Sequence, residues 1–228
     1  MDTDQPMYRV ILKRAGFVLV AVGLVDLGWM VYCIVNGIAY SSSLNIFAVI
    51  AGILLIRGGL KTAGIIRWLA LLVVSALVAV VLVLPFLRPI GLWLAEFRFR
   101  TLSVVTSSVV MVALAAALYW VARELGREPV QVARDEAGFK RRSAHVPVLC
   151  GFGLVVLMSL FLTIFLGGDS AERAKLEAAK EVGPGFALHV TSLYINNSPG
   201  SKRVYAVVAA WNDKELRDVP VHWEEQGN

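Results

Sequence analysis

The stretch WLALLVVSALVAVVLVLPF, Trp68–Phe86, contains no charged residue and a single hydroxyl, Ser75. As a helix it would cover about 28 Å, close to the hydrocarbon thickness of a bilayer, about 30 Å. Lipid offers a backbone no water to bond. A run of this kind is therefore stable in a membrane as a helix, whose amide groups satisfy one another. This reading makes the chain a membrane protein built from apolar helices.

Four more apolar blocks flank it: Ala15–Asn36, Ser43–Ile56, Thr101–Val121 and Val146–Leu166. Spans are predicted over 15–36, 38–56, 67–86, 101–121 and 146–166. The residues ahead of the first block include Arg9, Lys13 and Arg14, as a secretion signal would, but no A-x-A cleavage site follows, so the first span is expected to be retained. The second block is the weakest. Its uninterrupted part, Leu44–Ile56, would reach only about 20 Å. Starting it at Ile38 gives a full span and places Ser41, Ser42, Ser43 and Asn45 in the outer leaflet, where they can bond to neighbouring helices. Ala48 with Gly52, and Ala113 with Ala117, have the small-xxx-small spacing that lets helices approach closely within a bundle.

Between the third and fourth spans, residues 87–100 combine Arg88, Pro89 and Glu96 with Leu92, Trp93, Leu94 and Phe97. Together with Pro85, the proline and charges are expected to break the span and leave an interfacial helix anchored by Trp93. Residues 122–145 read as a basic loop broken by Pro129, with Lys140, Arg141 and Arg142 at the headgroups.

Beyond residue 167 the composition becomes that of a soluble domain. Asp169, three residues before Glu172, reads as an N-cap with its reciprocal glutamate. The helix should run to about Val182 and stop at Gly183-Pro184-Gly185. Three alternating runs follow, Phe186–Ile195, Arg203–Trp211 and Leu216–Glu224, joined by short polar turns that imply an antiparallel meander. Phe186, Leu188 and Val190 should share one face, as should Val219, Val221 and Trp223. So small a domain buries little surface and should lean on the membrane part or on a partner.

The charge pattern orients the chain. Twelve cations (Arg9, Lys13, Arg14, Arg57, Lys61, Arg67, Arg123, Arg127, Arg134, Lys140, Arg141, Arg142) fall on one side of the predicted spans, against three (Arg88, Arg98, Arg100) on the other. Basic loops stay in the cytoplasm, so the N-terminus is expected inside and the C-terminal domain in the bacterial periplasm. The net charge of +5 is thereby a topology signal and an affinity for anionic lipid. It does not argue for nucleic acid, because no aromatic-interleaved basic face accompanies it. Cys33 and Cys150 should sit in opposite leaflets, too far apart to bond.

Asp26 is the sharpest single feature. It stands near the middle of the first span, with Gly23, Trp29, Met30 and Cys33 on its side at helical spacing. A carboxyl at that depth costs about 2.5–3.5 kcal/mol to insert, so it marks a buried polar contact, a partner subunit or an ion path. No other span offers a cation at that level. Ser75 and Ser108 are candidate partners. In the tail, Trp211 and Trp223 are candidates for the domain core or a partner surface. His145, His189 and His222 are too scattered for a metal site. No nucleotide-binding loop, nucleophile elbow or zinc-protease motif occurs.

The expected fold class is thus a membrane all-α, five-transmembrane-helix bundle over residues 1–167, followed by a small C-terminal periplasmic α+β domain, one helix plus a three-stranded antiparallel meander, over 168–228. The expected function is that of a non-enzymatic inner-membrane accessory or scaffold protein. Its periplasmic domain would dock a membrane or periplasmic protein partner or a second copy of the chain, with no cofactor and no metal. The alternative is a small transporter or proton- or ion-coupled module using Asp26.

Overall fold

The long apolar runs all become helices. In the structure, a computed structural model that describes residues 6–37, 45–140, 143–198 and 201–226, α1 is Met7–Val35, α2 Asn45–Ile56, α3 Leu60–Leu87, α4 Ile90–Phe99, α5 Thr101–Glu124, α6 Glu128–Glu136, α7 His145–Leu166 and α8 Asp169–Val182. Strands β1 Ala187–Ser198, β2 Ser201–Trp211 and β3 Leu216–Gln226 close the chain. Among the described residues four helices, α1, α3, α5 and α7, are long and apolar enough to cross a membrane. The chain is thus mostly helical, with the composition of a multi-pass membrane protein. The described part of α2 has 12 residues, about 18 Å at helical rise. Residues 38–44, which the predicted second span also needs, lie outside the described residues, as do Arg141 and Arg142.

Two compact units are distinguished, Met1–Val78 with Val110–Phe152, and Ala79–Val109 with Gly153–Asn228. In the first, α1 begins eight residues before its apolar block. Hydropathy misses this turn because Arg9, Lys13 and Arg14 interrupt it. However, Ile11, Leu12 and Ala15 are buried there, in a core shared with Leu55, Ala63, Ile66, Val121, Leu125 and Val130. Val130 belongs to α6, where a loop broken by Pro129 was expected. Instead Pro129 sits in the helix's first turn. Its missing N–H has no intrahelical partner to lose there, and its fixed φ suits a helix start.

Helices α1 and α2 meet backbone to backbone. A Cβ on Gly16 would lie 2.6 Å from the Gly52 carbonyl oxygen, and one on Gly52 would lie 2.6 Å from that of Gly16. Gly52 of the expected small-residue pair thus makes a close contact, with a glycine that the spacing did not pick out. Ala113 of the other pair is exposed. Gly151 of α7 packs in the same way against Ser75 and the Leu72 carbonyl of α3.

In the second unit, Pro85 lies inside α3 and does not break it. The chain turns at Arg88-Pro89, and Pro89 caps α4. Three strands pair antiparallel in the order β1-β2-β3, the meander read from the sequence. Helix α8 covers one face, where Ala171, Ala174 and Ala178 meet Val190, Ala206, Val208, Ala210, Val219 and Val221. Phe186, Leu188 and Trp223 pack around that core, on the faces expected. Thr191 is the extra residue of a bulge in β1, and its Oγ1 donates to the Val207 carbonyl at 3.0 Å. The bulge resets the alternation, so Leu193 joins the same core. One local expectation fails. Gly168, not Asp169, is the N-cap of α8, and it makes no side-chain cap bond. Asp169 and Glu172 lie in the first turn, where they favour the helix through its dipole, and Glu172 bonds Lys175 at 2.8 Å.

Candidate functional site

Asp26 lies twelve residues beyond Arg14, about 18 Å along α1, which is mid-bilayer depth if Arg14 marks the headgroups. It is half-buried, between Gly23 and Cys33, which are buried on its side of the helix. The α1–α2 pairing places it. Gly16 faces Ile56 and Gly52 faces Val20, so the helices run antiparallel, and continuing that register brings Asp26 level with Ile46, in the first described turn of α2. Of the two serines proposed as partners, Ser75 is buried and spends its proton on the Leu72 carbonyl at 2.9 Å, and Ser108 is exposed.

Trp223 and Trp211 fall on opposite faces of the sheet. Trp223 packs at the edge of the α8 core, with the Arg173 guanidinium 5.6 Å from its ring centre. Trp211 lies on the other face, against α4. A Cβ on Gly91 would stand 3.1 Å from the Trp211 Nε1, so glycine is what lets the helix come this close. Arg100, at the C-terminal end of α4, bonds Asp218 of β3 at 2.6 Å, and Ala209 between them is buried. Arg88 bonds Glu96 along the helix at 3.3 Å. The sheet is therefore covered by α8 on one side and, at its Trp211 end, by α4 on the other.

His189 is half-buried in the row of Ala209 and Asp218. Burial, and then the nearby positive charges of Arg88 and Lys175, hold its imidazole below the ordinary value of 6.5. His222 stands across the middle strand, opposite Tyr205. Among the described residues no three His, Cys, Asp or Glu side chains gather as metal ligands.

A buried polar group was missed in the sequence. Glu124, Gln131 and Arg134 are buried around the α5–α6 turn. Arg127 bonds Glu124 at 2.7 Å, Gln131 donates to the Leu125 carbonyl at 2.7 Å, and the Arg134 guanidinium packs on Gly64 of α3. By charge pattern alone these cations read only as topology markers. The visible signal was the spacing of Val130, Gln131 and Arg134, which share one side of a helix once Pro129 is taken as its start.

The chain matches no family model, no curated protein and no solved structure. Its function has to be argued from these residues alone.

Proposed function

We propose that the chain is a non-enzymatic accessory or scaffold protein of the bacterial inner membrane. It would span the membrane five times, N-terminus in the cytoplasm and C-terminus in the periplasm, and present its C-terminal domain to a protein partner. The observation that carries this reading is the seating of the sheet on α4. Only Arg88 and Pro89 separate α4 from α3, and only Arg100 separates it from α5, so with α3 and α5 spanning, a domain clamped to α4 would be held at the membrane surface rather than trailing on a tether. Such mounting suits a docking platform. The twelve-to-three distribution of cations supports the orientation. Purification in mild detergent followed by mass spectrometry tests the reading. A stoichiometric partner, another protein or a second copy of the chain, that is lost when residues 168–228 are removed supports it, and an assembly unaffected by that removal counts against it.

A second reading, a small transporter or ion-coupled module, is favoured by one observation, the half-buried Asp26 on α1, whose register places it beside the first described turn of α2. Intramembrane carboxyls beside short helices occur at ion sites.

A further inference from the structure

Where α4 crosses the end of the sheet, the two enclose an open groove of about 410 Å³, within the range of small-molecule sites. Gly91, Leu94, Arg98 and Phe99 line it from α4, and Trp211, at the end of β2, and Asp213, in the β2–β3 turn, line it from the other side. We propose that this groove binds the headgroup of an aminophospholipid of the host bilayer, with the phosphate on Arg98 and the ammonium on Asp213.

Two lines of argument meet here. The first is location. Helix α4 is tied within two residues to one candidate span and within one residue to another, so it lies in the headgroup layer. It exposes Ile90, Leu94 and Phe97, which recur at helical spacing as one apolar stripe. Leu94 belongs to both the stripe and the groove. The groove therefore begins where the lipid-facing side of the helix ends, at the depth of phosphate and glycerol. Trp211 suits that depth, with an apolar ring and one N–H donor.

The second is charge. Of the three arginines around α4, Arg88 is paired with Glu96 and Arg100 with Asp218. Among the described residues Arg98 has no carboxylate partner and instead lies over the Phe99 ring at 5.5 Å. Asp213 has no cation partner among them either. Both line the same groove, yet no ion pair joins them, so the groove offers a cation and an anion, neither paired with the other. Asp213 is held there by its turn, in which Asn212 Oδ1 accepts from the amides of Lys214 and Glu215 at 2.8 and 2.9 Å. A zwitterion with phosphate and ammonium at its two ends complements this arrangement. A headgroup with phosphate alone would meet Asp213 as a like charge. Arginine is the side chain best matched to a phosphate.

The inference rests on α4 lying at the membrane surface and not on the scaffold reading, so either can fail alone. The test is native mass spectrometry of the full chain, released from detergent micelles carrying equal amounts of short-chain phosphatidylethanolamine and phosphatidylglycerol. A parallel sample carries inorganic phosphate and no lipid. The wild-type chain should retain phosphatidylethanolamine in preference. Arg98→Gln should reduce retention of both lipids by about tenfold, the loss expected for a charge-assisted hydrogen bond. Asp213→Asn should abolish the preference while retaining phosphatidylglycerol. Both side chains are exposed, and circular dichroism of each variant should match the wild type. Equal retention of the two lipids by the wild type, unchanged retention in both variants, or comparable uptake of free phosphate would each overturn the proposal.

Discussion

At the scale of single residues, Asp26 separates the two functional readings. Asn matches its size and keeps a hydrogen-bonding end but cannot ionise. If Asp26 serves as a polar contact between α1 and its neighbours, Asp26→Asn should insert, assemble and support growth almost as the wild type does. Asp26→Leu should lose that contact and assemble poorly. If Asp26 carries a proton or an ion, the Asn variant should assemble fully and be inactive. Growth and assembly assays on the pair distinguish the cases, and a dead but intact Asn variant would overturn the scaffold reading. Trp223 offers a second residue-level test. Its ring packs beside the α8 core in a domain with little apolar surface to spare. Trp223→Ala should cost about 3 kcal/mol, the low end for a large aromatic because the ring is only partly covered. Limited proteolysis should then cut the C-terminal domain while leaving the membrane helices protected. Unchanged resistance would mean that the ring contributes little to the domain.

At the scale of elements, the α4–sheet junction should be sensitive to pH through His189. Its folded imidazole sits below 6.5 because it is half-buried and feels the positive charges of Arg88 and Lys175. The unfolded domain then binds more protons than the folded one in the window between that lowered value and 6.5, so stability rises with pH across the window. It should be complete above about pH 6.5, decline as the pH falls below that, and level off once the folded imidazole is itself protonated. Thermal unfolding followed between pH 5 and 8 (roughly the range in which imidazole titrates) should show the slope in the wild type and a flatter profile in His189→Gln. An equal slope in both would assign the effect to other groups. The same elements show what can be read from the chain. The strand order and the extent of α8 were legible because the tail alternates, as in Phe186, Leu188 and Val190, between strong turn signals, while the bulge at Thr191 was not. The reach of α1 beyond its apolar block, the helix begun by Pro129 and the passage of α3 through Pro85 were not. Each depends on packing or on position within a helix turn, whereas hydropathy registers only composition. The groove was equally hidden, because Gly91 and Arg98 meet Trp211 and Asp213 only through a contact between segments more than a hundred residues apart.

At the scale of the whole molecule, the remaining issue is how many times the chain crosses, and it turns on α2. The twelve described residues of α2 are fewer than the hydrocarbon core needs, and by length alone they would favour four crossings and both termini on one face. Packing inside the first unit argues otherwise. Ile11 and Leu12, at the start of α1, share a core with Val130 of α6 and with Ala63 near the start of α3. The beginning of α1, the beginning of α3 and the segment after α5 are therefore neighbours and belong on one face. On the proposed topology the chain leaves that face in α1 and is back at it by Leu60. The basic residues Arg9, Lys13, Arg57, Lys61, Arg127 and Arg134 cluster at these ends, which is the distribution that the proposed cytoplasmic placement of this face requires. Reporter fusions at the N-terminus and near residue 130 should accordingly both be cytoplasmic, and a fusion at residue 228 should be exported. An exported N-terminus with a cytoplasmic residue 130 would mean that α1 and α2 together cross once, and it would overturn both the five-crossing topology and the shared core at the start of α1.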